Sequence, residues 1–285
     1  MSGEEVIMKE KDIIALRNKF EEPHHLLTTS DNQTLFLRIW EPQLEHRKDS
    51  AILLLHGITA HSGPYGMIAE PLTGRGFSIY GLDLRGHGLS DGNRGDCPSK
   101  ERFIKDLCES IEFVNQRHPK VILFGHSLGV LSSIIAVNNC RENIDGLVLL
   151  SGARSTKPEA YPGLSLGQKL KILGSSIRNP SKPVIHYYRD EMVGHDDPLF
   201  NFYYTYRFMK IALIRDFEFP NMENMPVYVG VGDRDELFSV DACQALHDEI
   251  PSKYKMFYVM KGAKHAEFPP GSFDTLFSWL DTHFQ

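Results

Sequence analysis

VILFGHSLGVLSSIIAVNN, residues 121–139, is the stretch on which the fold turns. Val121-Ile-Leu-Phe124 reads as a short buried strand, and Leu128 to Asn139 as a helix. Between them, Gly125-His126-Ser127-Leu128-Gly129 places a serine on a sharp strand-to-helix turn, with glycines where a strained elbow and close helix–strand packing require them. The Gly-x-Ser-x-Gly pattern alone is weak, since Gly88–Gly92 and Gly163–Gly167 match it as well. Ser90 sits in a polar, glycine-rich loop, and Ser165 follows Tyr161-Pro162 with no strand before it. Only Ser127 has the strand behind it and the helix ahead.

Outward from this motif, further apolar runs alternate with stretches that can hold a helix. His24 to Thr29 and Thr34 to Glu41, joined by Ser30-Asp-Asn-Gln33, read as an antiparallel hairpin. AILLLHG (51–57), SIYGLDL (78–84), GLVLLSG (146–152), VYVGVGD (227–233) and MFYVMKG (256–262) are apolar on both pleat faces, as in strands covered by helices on both sides. Helices are expected over Pro64 to Gly74, Ser99 to Arg117 and Val240 to Ile250. The alternation predicts an α/β fold with a mostly parallel, roughly eight-stranded doubly wound sheet. The rhythm breaks once, where about 75 residues separate Gly152 from Val227. The expected organisation is therefore an N-terminal extension (1–20), a core formed by 21–152 and 227–285, and an inserted helical cap at 153–226. Val6, Ile7, Ile13, Ile14, Leu16 and Phe20, set among charges, suggest that the extension is an amphipathic helix packed on the body.

Composition narrows the function classes. With 285 residues and 41% hydrophobic content the chain is long enough for one sizeable core. A formal charge of −6 and the lack of Lys/Arg clusters argue against a nucleic-acid binder. No window approaches the ~18 apolar residues of a membrane span, and no secretory leader is evident, so a cytoplasmic protein is expected. Cys97, Cys108, Cys140 and Cys243 have no metal or redox spacing and read as reduced, packed thiols.

The chemistry follows from what a serine hydroxyl needs: a neighbouring base to take its proton, and a third group to fix the base's tautomer. His265, in Lys261-Gly-Ala-Lys-His265, lies in the last strand-to-helix loop, at the same sheet edge as Ser127. The acid should follow the preceding strand, where Asp235 has cleared the strand end at Gly232, and Asp233 is the alternative with a turn-forming role. Backbone N–H groups of Ile58, after the strand ending in His56-Gly57, and of Leu128 are the expected oxyanion donors. His56, Arg85 and His87 read as structural. Phe202 and Phe208, within the apolar run 198–214, are expected to line an acyl-binding wall in the cap, together with the set around Leu164 to Leu173. No metal or other cofactor is implied.

HGITAHSGPY (56–65), GLDLRGHGLSDG (81–92), GHSLG (125–129), HDDPL (195–199), GDRDEL (232–237) and GAKH (262–265) together resemble the α/β-hydrolases of the monoacylglycerol lipase and lysophospholipase type. The resemblance implies the Ser127, Asp235, His265 triad, the same two amide donors, a monoacylglycerol- or lysophospholipid-like substrate hydrolysed through an acyl-enzyme, and peripheral membrane contact through the cap. Two positions depart from the family: Ala60 stands where an acidic residue is common, and Pro64 where a basic one is. The competing readings are a thioesterase, small-ester carboxylesterase or aminopeptidase-like enzyme of the same fold, and a non-catalytic ligand sensor.

Overall fold

The computed structural model describes residues 8–160, 165–189 and 192–285. The chain opens with helix α1 (Glu10–Arg17), then β1 (His24–Thr28) and β2 (Thr34–Trp40), an antiparallel hairpin closed by Thr29 N–H to Gln33 C=O (2.8 Å). There follow β3 (Ser50–Leu55), α2 (Gly66–Thr73), β4 (Ser78–Asp83), α3 (Lys100–Asn115), β5 (Lys120–His126), α4 (Leu128–Asn139) and β6 (Gly146–Leu150). The long connection holds α5 (Leu166–Arg178), a two-residue pair β7 (Ile185–His186) and β8 (Tyr203–Tyr204), and α6 (Tyr206–Ala212). β9 (Val227–Gly232), α7 (Val240–Glu249), β10 (Lys255–Met260) and α8 (Asp274–His283) complete the chain. The main sheet runs β1-β2-β4-β3-β5-β6-β9-β10 and is parallel from β4 onward.

The two-sided apolar runs become two cores. In β3, Ala51, Leu53 and Leu55 join one cluster, and Ile52 and Leu54 the other. β5 and β6 repeat the split, with Val121, Leu123, Leu147 and Leu149 against Ile122, Phe124, Val148 and Leu150. Phe103, Leu107 and Ile111 of α3 and Ile134 of α4 cover the first face, while Ile68 and Leu72 of α2 and Leu276 and Leu280 of α8 cover the second. Burying both faces fixes the register, because a one-residue slip would exchange the two sets.

The strand order also places the site. From β3 the chain steps one way to β4 and then returns to the other side of β3 as β5. The carboxyl ends of β3 and β5 therefore border a crevice at the point where the winding reverses, the preferred ligand site of open α/β sheets. The segment His56-Gly57-Ile58 leaves β3 there, and Ser127 leaves β5.

Two expectations are refined. Cys108 of α3 and Cys140, just past α4, form a disulfide with Cα atoms 5.8 Å apart, while Cys97 and Cys243 are buried free thiols. The reading of all four as reduced is thus corrected for one pair: 32 residues separate the partners in sequence, and they meet because α3 and α4 pack side by side on one sheet face. α1 is packed through Ile13 and Arg17, whose guanidinium donates to Leu89 C=O (3.0 Å) and pairs with Asp91 (2.8 Å), while Ile14 and Leu16 stay exposed. Val6 and Ile7 lie outside the described residues.

Candidate active site

The elbow at Ser127 is built by sterics. Ser127 has φ +56° and ψ −112°, a conformation that side-chain-bearing residues rarely adopt and that local packing must hold. A Cβ on Gly125 would fall 2.2 Å from Gly129 C=O, and one on Gly129 would fall 2.0 Å from Leu55 C=O, so neither position admits a side chain. The half-buried serine is left at the N-terminus of α4, facing the crevice.

Around it the loops after β9 and β10 bring together the two residues sought. Ser127 Oγ lies 3.0 Å from His265 Nε2, and His265 Nδ1 lies 2.9 Å from Asp235 Oδ2. The other carboxylate oxygen of Asp235 accepts the N–H groups of Leu237 (2.8 Å) and Phe238 (2.9 Å). Burial pushes the Asp235 carboxyl up, but the hydrogen bond from His265, the charge there and the two amides outweigh it and hold the group down at about 2. It is an anion at neutral pH, and it requires a proton on His265 Nδ1, which leaves Nε2 free to accept from the serine. Asp233 is exposed and takes Gly262 N–H (2.6 Å), a turn contact at the end of β10.

Sequence reasoning missed the shell that holds these parts. Tyr65 Oη accepts Gly57 N–H (2.9 Å) and donates to His126 Nδ1 (2.8 Å), and His126 Nε2–H donates to His265 C=O (2.9 Å). One chain of hydrogen bonds thus ties the loop after β3, the elbow and the histidine loop. Burial lowers His126 to about 3, so it stays neutral in this role. Glu236 accepts His265 N–H (2.8 Å), and Lys157 donates to Asp235 C=O (2.6 Å). Tyr65 and His126 stood in the quoted motifs HGITAHSGPY and GHSLG, which were signal enough to find them, though not their partners.

The loop after β3 is clamped from the long connection. Tyr204 Oη donates to Ile58 C=O (2.7 Å), Asn201 N–H to Thr59 C=O (2.9 Å), and His61 Nε2 lies 2.9 Å from Asp197 Oδ2. With its carbonyl held by Tyr204, Ile58 borders the crevice beside Ser127, as does Leu128, whose N–H, at the first position of α4, lacks an intrahelical acceptor. His56 spans Gly57 C=O (2.7 Å) and Leu84 N–H (3.1 Å), Arg85 grips Asp106 through two nitrogens (2.7 and 2.8 Å), and His87 packs on Phe208, so all three tie the structure together. Ser90 is buried and accepts Phe36 N–H (2.8 Å), and Ser165 caps α5. Gly163, which opens the third motif, lies outside the described residues.

Phe202 and Phe208 are not where the cap expectation put them. Phe208 is 1% exposed and stacks on Tyr204, and Phe202 stacks on His195. Phe208 joins the core on one face of the main sheet and packs on His87, and Phe202 packs among His195 and Phe200 of the connection. The large cavity that opens at Ser127, about 920 Å³, is walled instead by Leu131 and Ile134 of α4, Leu173 of α5, Met209 of α6, and Leu213 and Phe217 beyond it.

Comparison with known proteins agrees with this architecture. Escherichia coli YnbC is 34% identical over 156 residues, covering 52% of this chain but only 26% of its own length. Rat monoglyceride lipase is 26% identical over 261 residues, covering 85% of this chain and 82% of its own. The crystal structure of Paleococcus ferrophilus monoacylglycerol lipase superposes with a TM-score of 0.69 at 26% identity, over 87% of this chain and 99% of that one. The model of the Hydrolase_4 family, described as serine aminopeptidase, S33, matches residues 46–268. The match spans most of the sheet and every side chain assembled around Ser127, and the chain belongs to this family of α/β-hydrolases.

Proposed function

We propose that the protein is a serine carboxylic-ester hydrolase acting on monoesters of long apolar acids, the monoacylglycerol and lysophospholipid class, through an acyl-enzyme. Ser127 Oγ attacks the ester carbonyl as His265 Nε2 takes its proton, and Asp235 stabilises the imidazolium. The oxyanion is received by the N–H groups of Ile58 and Leu128. His265 returns the proton to the leaving alkoxide, and water then releases the acid by the same steps. The observation that carries the reading is the hydrogen-bonded line Ser127–His265–Asp235 on the strained elbow, at 3.0 and 2.9 Å. The relatives named as monoglyceride and monoacylglycerol lipases support the ester class, and the 920 Å³ apolar cavity supports a long acyl chain.

On this reading residues 153–226 form a cap over the site. Leu166, Leu170, Leu173 and Ile177 of α5 recur at helical spacing and are exposed, with Lys169, Lys171 and Arg178 on the same helix. Such a face suits docking on a lipid surface, from which the substrate would be drawn. No helix among the described residues is long and apolar enough to cross a membrane.

The test is kcat/KM over 4-nitrophenyl esters of C2, C4, C8 and C12 acids and over monoacylglycerols, with Ser127→Ala as blank. Each buried methylene contributes ~0.8 kcal/mol, roughly fourfold, so efficiency should climb with chain length to a plateau. A fluorophosphonate probe should label Ser127 alone. A steady fall beyond C4 would replace the long-chain reading with a small-ester carboxylesterase.

A further inference from the structure

Ser127 opens on two cavities that differ in charge. Besides the large one, a chamber of about 130 Å³ shares Ile58, Ser127, Tyr187, Arg189 and Leu237 with it, and only this smaller chamber is lined by His265. On the reading proposed above, the proton taken by His265 Nε2 is handed to the departing oxygen, so the leaving alcohol lies on the histidine's side. The smaller chamber thus receives the alcohol and its head group, and the larger one the acyl chain. Among the described residues the larger cavity is bordered by Lys169, Lys210 and Arg215 and by no carboxylate, whereas the smaller one is bordered by Glu236 and Glu267. Arg189 borders both and so marks their junction.

The smaller chamber combines this negative charge with aromatic walls. One oxygen of Glu236 accepts His265 N–H (2.8 Å), which leaves the other to a ligand. Glu267 is exposed at the mouth, where it pairs with Lys264 (3.0 Å). The rings of Tyr65, Tyr187, Phe200 and Phe268 line the same space. Ring faces attract a cation, apolar walls suit a cation clad in methyl groups, and carboxylates supply the counter-charge. A bare ammonium, more strongly hydrated, gives up more on entering. Arg189 already has an interaction of its own, but a guanidinium offers five N–H donors and can meet a phosphate as well. From Ser127 outward, Arg189 at the junction and Glu267 at the mouth follow the order of groups in a phosphocholine ester of glycerol: phosphate first, quaternary ammonium last.

We infer that the smaller chamber is a head-group subsite for a quaternary ammonium, which narrows the substrate, within the class proposed above, to lysophospholipids of the phosphocholine type. The reaction balances as hydrolysis: the acyl carbon–oxygen bond breaks as the bond to Ser127 Oγ forms, the serine proton passes through His265 to the glycerol oxygen, and water supplies the second oxygen of the acid. The inference rests on the roles given to Ser127 and His265 under Proposed function.

The experiment compares three decanoyl esters on the full chain: 1-decanoyl-glycero-3-phosphocholine, 1-decanoyl-glycero-3-phosphate and 1-decanoylglycerol. Each kcat/KM is normalised to that of vinyl decanoate, which carries no head group. The phosphocholine ester should lead the other two by about tenfold. In Glu267→Gln and, separately, Phe268→Leu, its lead over the phosphate ester should shrink on the order of threefold, with vinyl decanoate turnover showing that the variant is folded and active. Equal or better use of the phosphate or glycerol ester by the wild type overturns the subsite, as does an unchanged lead in either variant. Loss of all four activities, with no fluorophosphonate labelling of Ser127, refutes the hydrolase reading itself, and the subsite falls with it.

Discussion

Replacing Asp235 with asparagine is the sharpest test of the site, because the surroundings dictate how the new amide must lie. One oxygen of the carboxylate already receives two N–H groups, from Leu237 and Phe238 at 2.8 and 2.9 Å. The asparagine carbonyl must take that position, since turning it away would set an NH2 group against two donors. The NH2 then faces His265 Nδ1, 2.9 Å from the replaced oxygen in the native protein. Nδ1 is forced to accept, the ring proton moves to Nε2, and Nε2 points a hydrogen at Ser127 when it should receive one. A wrong tautomer of this kind costs ~10⁴-fold in rate, equivalent to ~5.4 kcal/mol at 1.36 kcal/mol per decade. Asp233→Asn is the matched control: its remaining carbonyl still accepts Gly262 N–H, so the loss should stay within about threefold. The assay is single-turnover acylation by a 4-nitrophenyl ester, alongside the fluorophosphonate labelling rate and far-ultraviolet circular dichroism. If Asp235→Asn stays within tenfold of wild type, or Asp233→Asn suffers more, the tautomer argument fails.

Three further outcomes follow from the same geometry. His265→Ala should lose nearly as much activity as Ser127→Ala, and the double variant little more than either, since the residues act as a unit; additive losses in kcat would contradict this. Gly129→Ala puts a methyl group 2.0 Å from the Leu55 carbonyl and should destabilise by on the order of 3 kcal/mol, read as a lower urea midpoint, and a wild-type midpoint would mean that the elbow is looser than described. Acid should weaken the fold early. Burial depresses His56 to about 4 and His126 to about 3, so above about pH 6.5 both are neutral folded or unfolded, and stability is lost as pH falls from there towards the folded values. Urea midpoints should be flat between pH 8 and 7 and decline below 6.5, before most carboxylates titrate, and a flat profile to pH 5 would refute the assignment.

What could be read from the chain depended on how local the cause was. The central parallel strands were legible because burial on both faces leaves an unbroken apolar run, as in Ala51 to Leu55, the β1–β2 hairpin because Ser30-Asp-Asn-Gln33 marks its turn, and Ser127 because the elbow demands glycine at 125 and 129. Asp235 could be preferred to Asp233 on spacing, though the reason, two amides from its own loop, appears only in three dimensions. The β7–β8 pair escaped notice because two-residue strands carry no periodicity. Phe202 and Phe208 were misplaced for a related reason: composition marks a side chain as apolar but not whether it faces a cavity or a neighbour. The Cys108–Cys140 bond depends on two helices meeting across 32 residues, which no spacing rule encodes.

The clamp between residues 197–204 and the loop after β3 divides the long connection into halves with unequal freedom to change. Asp197, Asn201 and Tyr204 each hold the stretch from Ile58 to His61, so a substitution there is felt at the backbone beside Ser127. α5, by contrast, has no buried residue and meets the rest of the protein chiefly through α6. Exchanging α5 for the corresponding segment of a relative would alter the wall of the large cavity that Leu173 lines, and leave the stretch beside Ser127 untouched. The same exchange extended past residue 197 would disturb the backbone beside Ser127 as well. New specificities are therefore reached most readily through the first half of the connection, with the second half acting as the fixed hinge pin of the design.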